Sequence, residues 1–72
     1  PQILENVKVK DKDIINSRKC RSAIKKTEQL IKNQGRMLIR KSGTEPKIRI
    51  MGESKNIALI KKCINIVKRS IT

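Results

Sequence analysis

Seventy-two residues bound a single domain with a small core, too little to enclose a complete active site for a sizeable substrate. Nineteen Lys and Arg against six Asp and Glu give a formal charge of +13, with no His, no aromatic residue and 36% hydrophobic residues. Such a composition leaves no imidazole for a metal site or a general base, and no ring on which a base could stack. No apolar run nears the roughly 18 residues of a membrane span, no signal-peptide pattern is present, and the opening Pro1 fits a segment of a longer polypeptide.

The first element, 2–10, alternates, with Ile3, Val7 and Val9 on one side and mostly polar residues on the other, and reads as a strand. Residues 11–17 form a polar-rich connection in which Ser17 is placed to cap a helix. From 18 to 33, Cys20, Ala23, Ile24, Thr27, Leu30 and Ile31 recur at three- and four-residue spacing, one face of a helix. Gly35 follows the last periodic residue and reads as its terminator.

Two short strands follow, 36–41 and 47–53, and their close spacing predicts an antiparallel pair joined by the loop Ser42–Pro46. In the second, Ile48 and Ile50 face one way while Arg49 and Met51 face the other. The segment 55–71 is helical, with a stripe of Ile57, Ile60, Ile64, Val67 and Ile71 widened by Leu59, Cys63 and Ile66, and Ser54 is a candidate cap. Two helices with wide apolar faces need a surface to cover, and the sheet supplies it. The expected fold is α+β: a two-layer sandwich in the order β-α-β-β-α, its small, mainly antiparallel sheet carrying both helices on one face. A partner-binding role for the last stripe is the alternative.

The run Arg40-Lys41-Ser42-Gly43-Thr44-Glu45-Pro46-Lys47-Ile48-Arg49 concentrates arginines, hydroxyls and a turn glycine. A guanidinium grips two phosphate oxygens at once, and Ser42 and Thr44 can donate to the others. Gly43 can take positive φ, letting backbone N–H groups converge on an anion. Pro46 stiffens the approach to the next strand. These residues equally suit a plain hairpin turn between two basic strands, and chemistry alone leaves both readings open.

Cys20 and Cys63 fall on the apolar sides of the two helices, where a thiol behaves as a small hydrophobe. Buried free thiols, consistent with a reducing cytoplasm, are expected rather than a disulfide. The basic charge admits nucleic-acid binding as one reading. Against it, the lysines are spread from Lys8 to Lys68, and a Gly-x-x-Gly clamp is absent. A solvated lysine-rich surface is the preferred reading, and its field would also draw in an anionic sugar phosphate.

The order Arg-x-Ser-Gly-Thr-Glu-Pro-x-x-Arg over Arg40–Arg49 resembles the phosphate-binding loop in the C-terminal domain of the α-D-phosphohexomutases. Gly35–Ile39, Ile50–Glu53 and the opening Pro1–Val7 are most similar to the phosphoglucosamine mutase branch of that superfamily. The resemblance implies that residues 1–72 are one C-terminal domain of a larger cytoplasmic enzyme, an isomerase interconverting glucosamine 6-phosphate and glucosamine 1-phosphate for cell-wall precursors. A phosphoglucomutase or phosphomannomutase domain is the alternative, with a stand-alone nucleic-acid module behind it.

In the whole enzyme the resemblance implies a phosphoserine and Mg²⁺ supplied by other domains, so Ser42 is not the nucleophile and this domain holds no metal. Its implied task is to anchor the substrate phosphate that is not reacting. Arg40 would be the bidentate partner, aided by Ser42 and Thr44 hydroxyls and the Gly43 and Thr44 N–H groups, with Arg49 adding charge or orienting the loop. Lys41 and Lys47 are expected to face away. Glu45 would pair with Arg49, Arg36 or a lysine, or contact the sugar.

Overall fold

The computed structural model describes residues 1–71. Strand β1 (Gln2–Lys8) leads into a 3-10 helix (Lys12–Asn16) and helix α1 (Arg18–Ile31). The hairpin of β2 (Gly35–Lys41) and β3 (Lys47–Ser54) follows, and helix α2 (Ile57–Ile71) closes the order. The sheet runs β1-β3-β2, both pairs antiparallel. The expected α+β sandwich is therefore present. The chain places its most regularly alternating strand, β3, in the middle, where Ile48 and Ile50 are fully buried.

Side-chain alternation divides the sheet into two unlike faces. Val7, Met37, Ile48 and Ile50 point into the helix layer and join Cys20, Ile31, Ile60, Cys63, Ile64, Val67 and Ile71 in one core. The other face carries Leu4, Leu38, Arg40, Arg49 and Met51, which line a 170 Å³ depression. Leu4 and Leu38 remain 51% and 40% exposed there. Both thiols are free and buried, as expected. No helix of the described residues is long and apolar enough to cross a membrane.

The buried polar groups are satisfied locally. Thr27 Oγ1 donates to the Ile24 carbonyl at 2.8 Å, and Ser70 Oγ to that of Val67 at 2.6 Å. Both bonds let a hydroxyl occupy a helix's core side without an orphaned group.

Four local expectations change. Residues 11–17 are not a plain connection: Ile14 and Ile15 pack against the core, and Asp11 Oδ1 accepts from the Asp13 N–H at 2.9 Å, winding 12–16 into a 3-10 turn. Ser17 does cap α1, its Oγ accepting from the Cys20 N–H at 3.1 Å. Ser54 does not cap α2: it ends β3, and Asn56 takes the role by accepting from the Leu59 N–H at 3.1 Å. Ile57, placed on the apolar stripe, is 48% exposed in the first turn of α2.

Gly35 is the fourth. It opens β2 instead of terminating α1, and its φ is not positive. A Cβ there would stand 1.8 Å from the Glu53 carbonyl oxygen, so close strand approach is what demands glycine. Gly52 does similar work against α2, where a Cβ would lie 2.7 Å from Ile60 Cγ2.

Candidate functional site

The hairpin is the part of the fold that gathers the basic motif. Arg40 on β2 and Arg49 on β3 are direct cross-strand partners, on the sheet face that the helices leave open. Asn6 of β1 stands opposite Arg49 on its other side, so Asn6, Arg49 and Arg40 form one row across three strands. Among the described residues, neither guanidinium makes a hydrogen bond or ion pair. Like charges placed directly opposite repel, and their field is left for a group from outside.

The loop continues directly from this pair. The Ser42 N–H donates to the Lys47 carbonyl at 2.9 Å, extending the ladder by one step. The Lys47 N–H donates to the Glu45 carbonyl at 2.8 Å, a tight reversal around Pro46. Ser42 Oγ accepts from the Glu45 N–H at 3.4 Å and keeps its own proton to donate. Thr44 and Gly43 are exposed. A Cβ on Gly43 would meet nothing within 4 Å, and Gly43 does not take positive φ. The nest expected from a left-handed glycine is not how this loop is built.

Two side chains from the 3-10 helix brace the loop from beyond its own sequence. Lys12 Nζ donates to the Ser42 carbonyl at 3.0 Å and to the Gly43 carbonyl at 3.4 Å. Asp13 Oδ1 accepts from Lys41 Nζ at 2.8 Å. Lys41 thus faces away from Arg40, as alternation requires. Lys47 departs from expectation: it shares the face of Arg49, but its ammonium is engaged with Glu45 Oε2 at 2.9 Å. That ion pair takes the lysine option foreseen for Glu45, while Arg36 pairs with Glu53 at 3.0 Å.

Each pairing leaves its mark on a carboxylate. The Lys47 hydrogen bond and charge hold Glu45 below its ordinary value, and those of Lys41 do the same for Asp13. Glu53 is lowered first by the Gln2 hydrogen bond and then by the Arg36 charge. The acids around the motif therefore stay ionised and committed to lysine, arginine or glutamine partners. None of them neutralises Arg40 or Arg49.

The structure brings Arg40 and Arg49 together and strings Ser42, Gly43, Thr44 and Glu45 along the adjoining loop. Sequence reasoning passed over Lys12 and Asn6. Lys12 acts on backbone atoms about thirty positions downstream, so no local signal betrays it. Asn6 could have been found only from the strand order, which puts β1 beside β3.

The chain resembles known proteins over nearly its whole length. Residues 4–69 match the family model described as phosphoglucomutase/phosphomannomutase, C-terminal domain. The chain is 61% identical over 71 residues to a phosphoglucosamine mutase of Pelagibacter ubique, covering 99% of this chain and 16% of that protein. It is 45% identical to the phosphoglucosamine mutase of Pelotomaculum thermopropionicum, over 94% of this chain and 16% of that one. With that of Desulforamulus reducens it shares 47% identity, over 90% of this chain and 15% of the relative. The chain thus spans about one sixth of the length of the curated relatives it matches. A match over nearly all of its residues makes this chain a member of the phosphoglucomutase/phosphomannomutase C-terminal domain family.

Proposed function

We propose that Arg40–Arg49 anchors the non-reacting phosphate of a glucosamine phosphate, in a phosphoglucosamine mutase that interconverts the 6- and 1-phosphates for amino-sugar nucleotide synthesis. The observation that carries this reading is the opposed, unneutralised pair Arg40 and Arg49. A phosphate dianion at that point turns a repulsive pair into two charge-assisted contacts. Arg40 supplies the bidentate fork, Arg49 a second charge, and the Ser42 and Thr44 hydroxyls donate to the remaining oxygens. Glu45, held by Lys47, keeps a carboxylate at the rim where a sugar hydroxyl or amino group can donate to it.

The physical gain is positional. Binding energy from the remote phosphate fixes the sugar, so its other end meets the reacting group within a defined geometry. In this proposal the phosphoserine and the rest of the enclosing surface belong to other domains of the same protein, working in a reducing cytoplasm. Magnesium, which supplies Lewis-acid stabilisation to phosphoryl transfer, finds no fitting ligand set here: no three His, Cys, Asp or Glu side chains cluster among the described residues. In this proposal the part played by Arg40–Arg49 is binding and orientation.

Steady-state kinetics of the full-length enzyme test the reading. Arg40→Ala should raise KM and lower kcat/KM by about 2–4 kcal/mol, the scale for removing one partner of a buried charge pair. An unchanged kcat/KM removes Arg40 from the role.

A further inference from the structure

We infer that Lys12 is the positioning residue of the phosphate loop, aiming the Gly43 and Thr44 N–H groups at the ligand by gripping the carbonyls behind them. The inference rests on the phosphate reading above and adds the device that shapes the site. A planar trans peptide points its C=O and its N–H in opposite directions. The Ser42 carbonyl shares its peptide unit with the Gly43 N–H, and the Gly43 carbonyl shares the next with the Thr44 N–H. Both carbonyls receive Lys12 Nζ, at 3.0 and 3.4 Å, and no peptide bond among the described residues is cis. One ammonium therefore turns two successive N–H groups away from itself.

The direction of that turn matters. Lys41 leaves β2 on the helix-covered face, where it meets Asp13, the immediate neighbour of Lys12. Arg40 and Arg49 leave the sheet on the opposite face. Donors turned away from Lys12 thus face the side from which the two guanidiniums project. Gly43 lacks the positive φ that would otherwise make its neighbours' N–H groups converge, so the loop has no backbone-encoded nest of its own. A lysine from a separate element takes over the task, and the Asp13–Lys41 pair pins that element to the hairpin. The hydrogen bonds of Lys12 go to backbone carbonyls, which separates its role from those of the side chains that would meet phosphate.

The test uses the full-length enzyme with glucosamine 6-phosphate as substrate and selective ¹⁵N labelling of Gly and Thr. Lys12→Met should shift the Gly43 and Thr44 amide resonances in the free enzyme and raise KM roughly tenfold, the scale of one charge-assisted hydrogen bond. Lys12→Arg, which again offers a cationic donor with more than one N–H, should recover most of both. An unchanged KM in Lys12→Met, beside a raised KM in Arg40→Ala, overturns the positioning role and leaves the phosphate site standing. A raised KM with unmoved amides also overturns it, because Lys12 would then act as a bare charge. An unchanged KM in Arg40→Ala removes the phosphate reading and this inference with it.

Discussion

Arg40 and Arg49 face each other directly across the β2–β3 ladder, and neither has a counter-charge among the described residues. A fold selected for stability alone would not place two guanidiniums there, because like charges in cross-strand pairs are destabilising. Arg49→Thr keeps a good strand former and removes the repulsion. It should stabilise the 72-residue chain by about 0.2–1 kcal/mol at low ionic strength, with the gain shrinking as salt screens the pair. Urea denaturation at two salt concentrations measures this. A loss of stability instead would mean that the two arginines are not in repulsive contact.

The helix caps offer a second test. Asn56 Oδ1 accepts from the Leu59 N–H, and Ser17 Oγ from the Cys20 N–H. Asn56→Ala and Ser17→Ala should each cost about 1 kcal/mol in denaturant titrations. Ser54 Oγ accepts from the Asn56 N–H, a bond outside the α2 turn itself. Ser54→Ala should therefore leave the fluctuations of the Leu59 amide unchanged, whereas Asn56→Ala should speed its hydrogen exchange.

Much of this architecture was legible because its periods are clean. Lys47–Ser54 alternates without a break, and the faces of α1 and α2 repeat at helical spacing, so the sandwich and the core side of each element could be read directly. The 3-10 helix escaped because five residues are too few to display a period. Asn56 was overshadowed by Ser54, an equally good capping type two positions earlier. Gly35 resembled a helix stop by position, but its reason lies across the sheet at Glu53, a contact no linear reading supplies. The motif itself was visible as chemistry, whereas its brace was not: Lys12 and its carbonyl partners share no sequence pattern.

Stability should decline at both ends of the pH range, for opposite reasons. Asp13, Glu45 and Glu53 have folded-state values below their unfolded ones, so their contribution is present above about pH 4.5 and is lost as pH falls through the lowered values. Burial raises the Cys63 thiol above its ordinary value of 9.0, so the folded state holds that proton longer than the unfolded chain. Its contribution is complete below pH 9 and fades as pH rises towards the raised value. Thermal unfolding from pH 3 to 10 should show a plateau near neutrality. Cys63→Ala should flatten the alkaline limb and Asp13→Asn should soften the acid one; identical limbs in both variants would contradict these assignments.

Two glycines with opposite surroundings separate structural need from ligand need. A Cβ on Gly35 would lie 1.8 Å from the Glu53 carbonyl oxygen and 2.9 Å from Ser54 Cβ, and neither backbone can yield without parting β2 from β3. Gly35→Ala should cost about 3 kcal/mol, the upper end of overpacking, and lower the melting temperature of the 72-residue chain accordingly. A Cβ on Gly43 would meet nothing within 4 Å, and the residue has no positive φ to forbid a side chain. Gly43→Ala should therefore leave stability unchanged or raise it by about 0.4–1 kcal/mol through lost unfolded-state freedom, with the melting temperature unchanged or slightly higher. Yet it places a methyl group beside the N–H donors proposed to meet phosphate. In the full-length enzyme KM should rise severalfold while the fold is intact, a combination that a mere turn glycine would not produce.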